Sequence, residues 1–435
     1  MKNNYNLNYE AISGWFATGF FFNNEGFLKE EIKNNKNKKP SIIWHYSPND
    51  ISFEETLNIF SRLFESSIKK KTKRKKILLP LSGGLDSRTI AAALIGNENV
   101  IAYSYEFENG IEEIKYARQI AEICGWDFYS FKIPYGYLWD NINKISEINM
   151  CRTEFTHPRQ MAVIEEISSL GDILLSGSMG DLLFNSFNTN KLKNKNNQIE
   201  YLLNSIIKPS GKEIANDLWE YWVNKGLFSD LIENKIKNLY SNIQIDNPAS
   251  KIRAFKSMYY VQNWTNNNMR FFSKFIDVYA PYHDNQICEL VCSIPENFLN
   301  NRRIQIEYIK KKSPDLAKVN WQNYDLDLYN YNKLNSTYLP RRIYRYTKRN
   351  ILEKILFKSP KNQRNWELQF LGKKNDSELK KWIFNNPQLN NVIPSKIIYK
   401  YYNKFKKLDP VRYSHCISML LTFSVWIKKK MNHKS

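Results

Sequence analysis

Residues Ile77 to Ala92, ILLPLSGGLDSRTIAA, constrain the fold more than any other stretch of the chain. Ile77–Pro80 has strand character, and a helix-compatible run extends from Arg88 through Leu94. Between them lie Leu81, Ser82, Gly83, Gly84, Leu85, Asp86 and Ser87. Two adjacent glycines allow the tight backbone that a strand-to-helix turn needs. They also let backbone N–H groups face an anion with no side chain in the way. A helix starting near Asp86 adds the positive end of its dipole. Ser82 and Ser87 supply hydroxyl donors for phosphate oxygens. Asp86 beside phosphate requires a divalent cation between the two, which marks it as a Mg²⁺ ligand. An ordinary glycine turn would account for Gly-Gly alone, but not for the whole pattern after an apolar strand. No Gly-Lys-Ser/Thr follows, so the loop is not of the Walker kind.

The neighbouring segments predict the layers around this loop. Residues 53 to 70 place apolar side chains at Leu57, Ile59, Phe60, Leu63, Phe64 and Ile68, a helix pattern. Asn99 to Phe107 alternates as a strand, Ile111 to Cys124 reads as a helix stopped by Gly125, and Phe128 to Ile133 reads as a third strand. Strand, helix, strand, helix, strand implies an α/β fold with a doubly wound parallel sheet. Its ligand crevice lies at the carboxyl ends of the strands. Two short helices are expected near 137–148 and 157–169. A second motif follows, Asp172 to Asp181 (DILLSGSMGD), in which a buried strand again opens into a small-residue loop with an acidic residue. Residues 185 to 199 read as a polar loop. From about 201 helix signals dominate, as in Ile252–Trp264, Asn285–Cys292 and the apolar Ile417–Ile427. The chain thus divides into residues 1–50, a β segment with strand-like Gly14–Phe22 and Ile42–Tyr46; residues 51–190, a nucleotide-binding α/β core; and residues 191–435, a helical substrate-side region.

Leu-Ser-Gly-Gly-Leu-Asp-Ser resembles the pyrophosphate loop of the ATP pyrophosphatases that form AMP, and within them the asparagine synthetase type. Ser176, Gly177, Gly180 and Asp181 are similar to the second nucleotide loop of that family, Ser-Gly-Glu-Gly-x-Asp-Glu, with Ser178 and Leu182 where the family has glutamates. Asp277, Tyr279, Pro281, Tyr282 and Asp284 resemble its Glu-x-Arg-x-Pro-Phe-x-Asp signature. Ser293-Ile294-Pro295 and the last apolar helix fit the same family. The resemblance is firm over 77–181, moderate over 270–322 and loose beyond 330. It implies the adenine-nucleotide α-hydrolase fold. Asparagine synthetases also carry an N-terminal glutaminase domain whose cysteine follows the initiator Met. Position 2 here is Lys2, and residues 1–50 resemble only the closing strands of that domain, so the expectation is a synthetase part without its glutaminase.

The resemblance also implies a chemistry. A pyrophosphate grip favours attack at the α-phosphate of ATP, release of PPi and an adenylated carboxylate; a nitrogen nucleophile then forms an amide. The loop residues Leu81, Ser82, Gly83, Gly84, Asp86 and Ser87 hold the pyrophosphate. Tyr105 matches a position beside the adenine, with Ser176 and Gly177 on its other side; a core aromatic is the other reading of Tyr105. Asp86 and Asp181 jointly hold Mg²⁺. The second step needs a base. The family's glutamate is Ser178 here, so Asp277 is the substitute, with a structural role as its alternative. The family's phosphate-stabilising lysine falls at Gln322 when counted from Pro314, and Lys318, four residues earlier, is the nearest lysine. The cofactors implied are ATP and Mg²⁺. The partners are a small-molecule or peptide carboxylate and ammonia, a separate glutaminase or a substrate amine. Acceptors in surface polysaccharide or peptide natural-product assembly suit the pattern better than aspartate.

Composition adds limits. A chain of 435 residues with 42% hydrophobic and 14% aromatic residues can bury a large core. No run of 18 apolar residues predicts a membrane span. The five cysteines have no zinc or disulfide spacing, and a cytoplasmic protein is the default. The net charge of +21 would suit RNA. Lysine and asparagine are nevertheless abundant throughout, no RNA-binding module is visible, and the run Lys69–Lys76 reads as a solvated linker. An RNA-modifying pyrophosphate-loop enzyme and a non-catalytic nucleotide-binding relative are the alternative classes.

Overall fold

The structure is a computed structural model. It describes residues 6–23, 25–34, 42–107, 114–155, 158–185, 187, 192–223, 225–331 and 367–432. Five parallel strands form one sheet in the order β3-β2-β1-β4-β5. They are β1 (Ile77–Pro80), β2 (Val100–Phe107), β3 (Asp127–Ile133), β4 (Ile173–Leu175) and β5 (Asp277–Tyr279). Ile77 pairs with Val100 on one side and with Ile173 on the other, and Ile173 pairs with Asp277. The central strands are continuous apolar runs because helices cover both faces of a parallel sheet. Ile77, Leu78 and Leu79 are wholly buried. The strand order reverses at β1, with β2 on one flank and β4 on the other, so the loops after β1 and β4 face each other across a switch point.

Helices α1 (Tyr9–Thr18), α2 (Phe53–Thr72), α3 (Leu85–Leu94), α4 (Ile114–Cys124) and α5 (Tyr137–Asn149) come first in chain order. Residues 111–113, the expected start of α4, lie outside the described residues. Helix α2 opens with a capping box in which Ser52 Oγ accepts from Glu55 N and Glu55 caps Ser52 N at 2.9 Å. Helix α3 has Gly84 as its N-cap, with no capping side chain, which leaves that end of the helix open towards the loop. The 185–199 segment is shorter as a loop than expected, because a helix runs from Lys195 to Ile206. Past β4 the chain is mostly helical. Lys256–Thr265 forms a π-helical stretch between Pro248–Phe255 and Asn266–Ser273, and Pro410–Asn432 ends the described chain.

The N-terminal segment corrects a reading of the sequence. Gly14–Phe22 is not a strand: Tyr9–Thr18 is helical, capped by Asn8, and ends at Gly19 with φ +87°. Ile42–Tyr46 is extended but forms no strand, and Ser47 N and Asn49 N donate to Cys292 O and Ser293 O. Every residue of α1 from Ala11 onward is buried. A helix buried all round carries no amphipathic period, so periodicity could not tell it from a buried strand. Helix α1 lies against Pro209–Trp222, where a Cβ on Gly211 would stand 2.6 Å from Ala17 O. His415 Nε2 meets Phe16 O at 2.9 Å. Residues 9–18 thus belong to the core of the helical half. The cysteines are all free thiols, four of them buried. No helix among the described residues is long and apolar enough to cross a membrane.

Candidate functional site

Leu81 N donates to Tyr103 O and extends the β1–β2 ladder by one residue before the chain turns. Within the turn Ser82 N donates to Ser87 Oγ at 3.2 Å, the two serine hydroxyls lie 3.3 Å apart, and Gly84 N donates to Ser82 Oγ at 3.3 Å. The loop is therefore knit by the two hydroxyls expected to meet phosphate. Gly83 is needed for close approach. A Cβ there would lie 2.7 Å from Gln322 Cβ and 3.0 Å from Tyr116 Cδ2.

Arg88, wholly buried on α3, holds the segment that carries Gln322 against this loop. Its guanidinium donates to Val319 O (2.7 Å), Asn320 O (2.9 Å), Gly83 O (3.3 Å) and Leu316 O (3.4 Å). Burial draws its pKa down to about 10, so it stays charged at neutral pH. Arg88→Met should leave those carbonyls without their donor and cost about 3 kcal/mol of stability. A urea midpoint equal to that of the wild type would contradict this.

Asp86 is the centre of the site. Its carboxylate accepts from the Arg302 guanidinium and, at 3.0 Å, from Gln305 Nε2. Its backbone carbonyl accepts from the Tyr282 hydroxyl at 3.0 Å, and Gln305 also bonds that hydroxyl. From the second loop, Gly180 packs directly on the Asp86 carboxylate, and a Cβ on Gly177 would stand 3.2 Å from Asp86 Cβ. Burial pushes the Asp86 carboxyl up to about 6; Arg302 opposes the rise and the charge of Asp181 adds to it. A buried carboxylate that carries the added charge of a second aspartate is what a divalent cation relieves. No cluster of three or more His, Cys, Asp or Glu forms a metal cage among the described residues. A pair of carboxylates suits Mg²⁺, which keeps waters and shares substrate phosphates. The residues present therefore fit the ion.

Ser176 Oγ and Ser178 Oγ are 2.7 Å apart, and both approach the sulfur of Met269, at 3.4 and 3.6 Å. Met179 takes a left-handed backbone (φ +79°) before the short helix Gly180–Leu183, in which Gly180 is buried and Asp181 is exposed. On the other flank Tyr105, near the end of β2, accepts from Arg159 Nε at 3.3 Å, and the Arg159 guanidinium lies over its ring and that of Phe107.

Leu81, Ser82, Gly83, Gly84, Asp86, Ser87, Ser176, Gly177 and Asp181 thus come together, with Tyr105 on the neighbouring strand. Asp277 and Lys318 do not join them. Asp277 is the first residue of β5, paired with Ile173 and through it with Ile77, so it sits on the amino edge of the sheet, opposite the loops. It is exposed and ion-paired with Lys75 at 2.8 Å, which holds its carboxyl below the usual range. Asp277→Asn should leave steady-state turnover unchanged, and a hundredfold loss, the order of a lost general base, would restore it as a base. Lys318 is exposed and bonds Asp315 at 2.8 Å. Gln322 is the residue at the loop, donating its backbone N–H to Gly83 O at 3.1 Å. Sequence reasoning missed Arg302, Gln305, Arg88, Arg159 and Met269, and named Tyr282 without a role.

A model of the asparagine synthase family matches residues 60–428. No curated protein matches the chain. Among solved structures, NMN synthetase from Francisella tularensis is similar at 16% identity over 48% of this chain and 94% of its own, with a TM-score of 0.25. A likeness so slight carries no argument about activity.

Proposed function

Because the chain belongs to the asparagine synthase family, whose enzymes use ATP and usually Mg²⁺, we propose that it is an AMP-forming carbon–nitrogen ligase. It would adenylate a carboxylate with release of PPi and then join the acyl group to ammonia or an amine. The observation that carries this reading is the meeting of Gly180 and Gly177 with Asp86, which puts two small-residue loops and two aspartates at one switch point. Backbone N–H groups of Ser82–Ser87 and the start of α3 would hold the pyrophosphate. Asp86 and Asp181 would hold Mg²⁺, which supplies charge neutralisation as PPi departs. Tyr105 would lie beside the adenine, with Ser176 and Gly177 opposite.

Ser178 can orient a substrate but is too weakly basic to deprotonate a nitrogen. This corner of hydroxyls and a thioether speaks against aspartate as the acid. A small-molecule or peptide carboxylate, in surface polysaccharide or peptide natural-product assembly, suits it better. Free ammonia, a separate glutaminase or an amine on the substrate would bring the nitrogen. Isotope exchange between PPi and ATP across a panel of carboxylic acids tests the reading. Exchange that depends on one acid class supports it and names the substrate; tight ATP binding with no exchange for any acid would contradict it.

A further inference from the structure

We infer that Lys256 is a specificity residue of this site and binds a second anionic group on the acid to be adenylated, so that the acceptor is a diacid longer than aspartate. The inference rests on the ligase reading and deepens it. One helical run, made of Pro248–Phe255, Lys256–Thr265 and Asn266–Ser273, meets the second loop at two places. Near its end the Met269 sulfur approaches the Ser176 and Ser178 hydroxyls. Earlier in the run, Arg253 Nη2 donates to Asn185 O at 3.1 Å. The Lys256 ammonium lies 5.9 Å from the centre of the Phe187 ring, just past the short helix that carries Asp181.

The two cations on this run are used differently. Arg253 is engaged by Glu296, with bonds of 2.6 and 2.9 Å. Lys256 has no hydrogen bond or ion pair among the described residues. Burial draws its pKa down; Asp181 opposes the fall and Lys208 adds to it. An ammonium withdrawn from water without a paired anion is a cost to the fold. Such groups gather in clefts where a ligand supplies the partner. Next to Met269, both side-chain amide atoms of Asn268 are buried with no hydrogen-bond partner among the described residues. This is a second polar group on the same run that calls for an explanation.

The winding of the run accounts for both meetings. In an uninterrupted α-helix, positions 256 and 269 would stand roughly 220° apart around the axis, facing opposite ways. Lys256–Thr265 is π-helical, and its wider turns change that phase. Such stretches are rare and concentrate at functional sites. Ser178 and Asp181 are three residues apart, at most about 11 Å. An acid with its reacting carboxylate at the Ser176–Ser178 corner therefore meets Lys256 with a second anion on the order of 10 Å away. Aspartate is too short for that span.

The test is calorimetric titration of succinate, adipate, suberate and sebacate, and of the monoamide of each, into protein saturated with a non-hydrolysable ATP analogue and Mg²⁺. In the wild type the best diacid should bind roughly ten- to a hundredfold more tightly than its monoamide, the order of a charge-assisted contact. Lys256→Met should erase that preference, and Lys256→Arg should retain it in part, with the affinity for the ATP analogue unchanged in both. A wild type that prefers no diacid over its monoamide would overturn the inference, as would a preference that survives Lys256→Met. Weaker binding of the ATP analogue by Lys256→Met would make Lys256 part of the nucleotide site and overturn it too. If Lys256→Met fails to fold, Lys256→Gln takes its place under the same criteria. Wild-type protein that does not bind the ATP analogue would instead sink the ligase reading itself.

Discussion

Asp86→Ala should abolish PPi release, lowering it by about 10³-fold or more, the scale of losing a positioned electrostatic group at a developing charge. The loss should come without unfolding. Burial pushes the Asp86 carboxyl up to about 6, above the usual aspartate range. A raised carboxyl stabilises the fold fully below the unfolded value and loses that contribution as pH rises through about 6. At pH 7.5 the charged Asp86 is therefore a cost to the apo protein, and its removal relieves that cost while leaving Arg302 without its partner. Assays of PPi release beside thermal unfolding at pH 7.5 separate the two effects. Normal turnover by the variant with Mg²⁺ present would remove Asp86 from the chemistry; collapse of the fold would make it structural.

Gly180→Ala should have the next largest effect. A Cβ there would run into the Asp86 carboxylate, 2.7 Å from its Cγ, and stand 3.0 Å from Tyr282 Cε2. Neither neighbour can yield easily. Asp86 is held by Arg302 and Gln305, and Tyr282 is wholly buried with its hydroxyl on Asp86 O. The loops must then part by something like an ångström, and a shift of about 1 Å in a positioned group costs about 10²-fold in rate. Stability should fall by about 1–3 kcal/mol, as for other overpacked sites. Steady-state PPi release by Gly180→Ala checks this, and a wild-type rate would show that the contact between the loops has no part in turnover.

Both loops were legible in the sequence because each couples an apolar strand to small residues and one aspartate, a pairing with few structural uses. The parallel sheet followed from strands alternating with helices. What the sequence hid has physical causes. Residues 11–18 are buried on every side, so their pattern suits a helix or a strand equally. Strand β5 is three residues long, and without it the direction of Asp277 along the sheet cannot be known; that direction puts it on the amino edge, with Lys75. Counting from Pro314 led to Gln322, but chemical preference for a lysine favoured Lys318; the backbone bond from Gln322 to Gly83 upholds the count. Arg302 meets Asp86 across 216 residues of chain, a contact that local pattern cannot announce.

The central claim is that this loop pair directs attack to the α-phosphate. The most direct measurement is the nucleotide product formed by the purified protein with ATP·Mg²⁺, an amine source and the acid that supports exchange. AMP and PPi in equal amounts, both lost in Asp86→Ala, are the predicted result; ADP and inorganic phosphate would contradict the account.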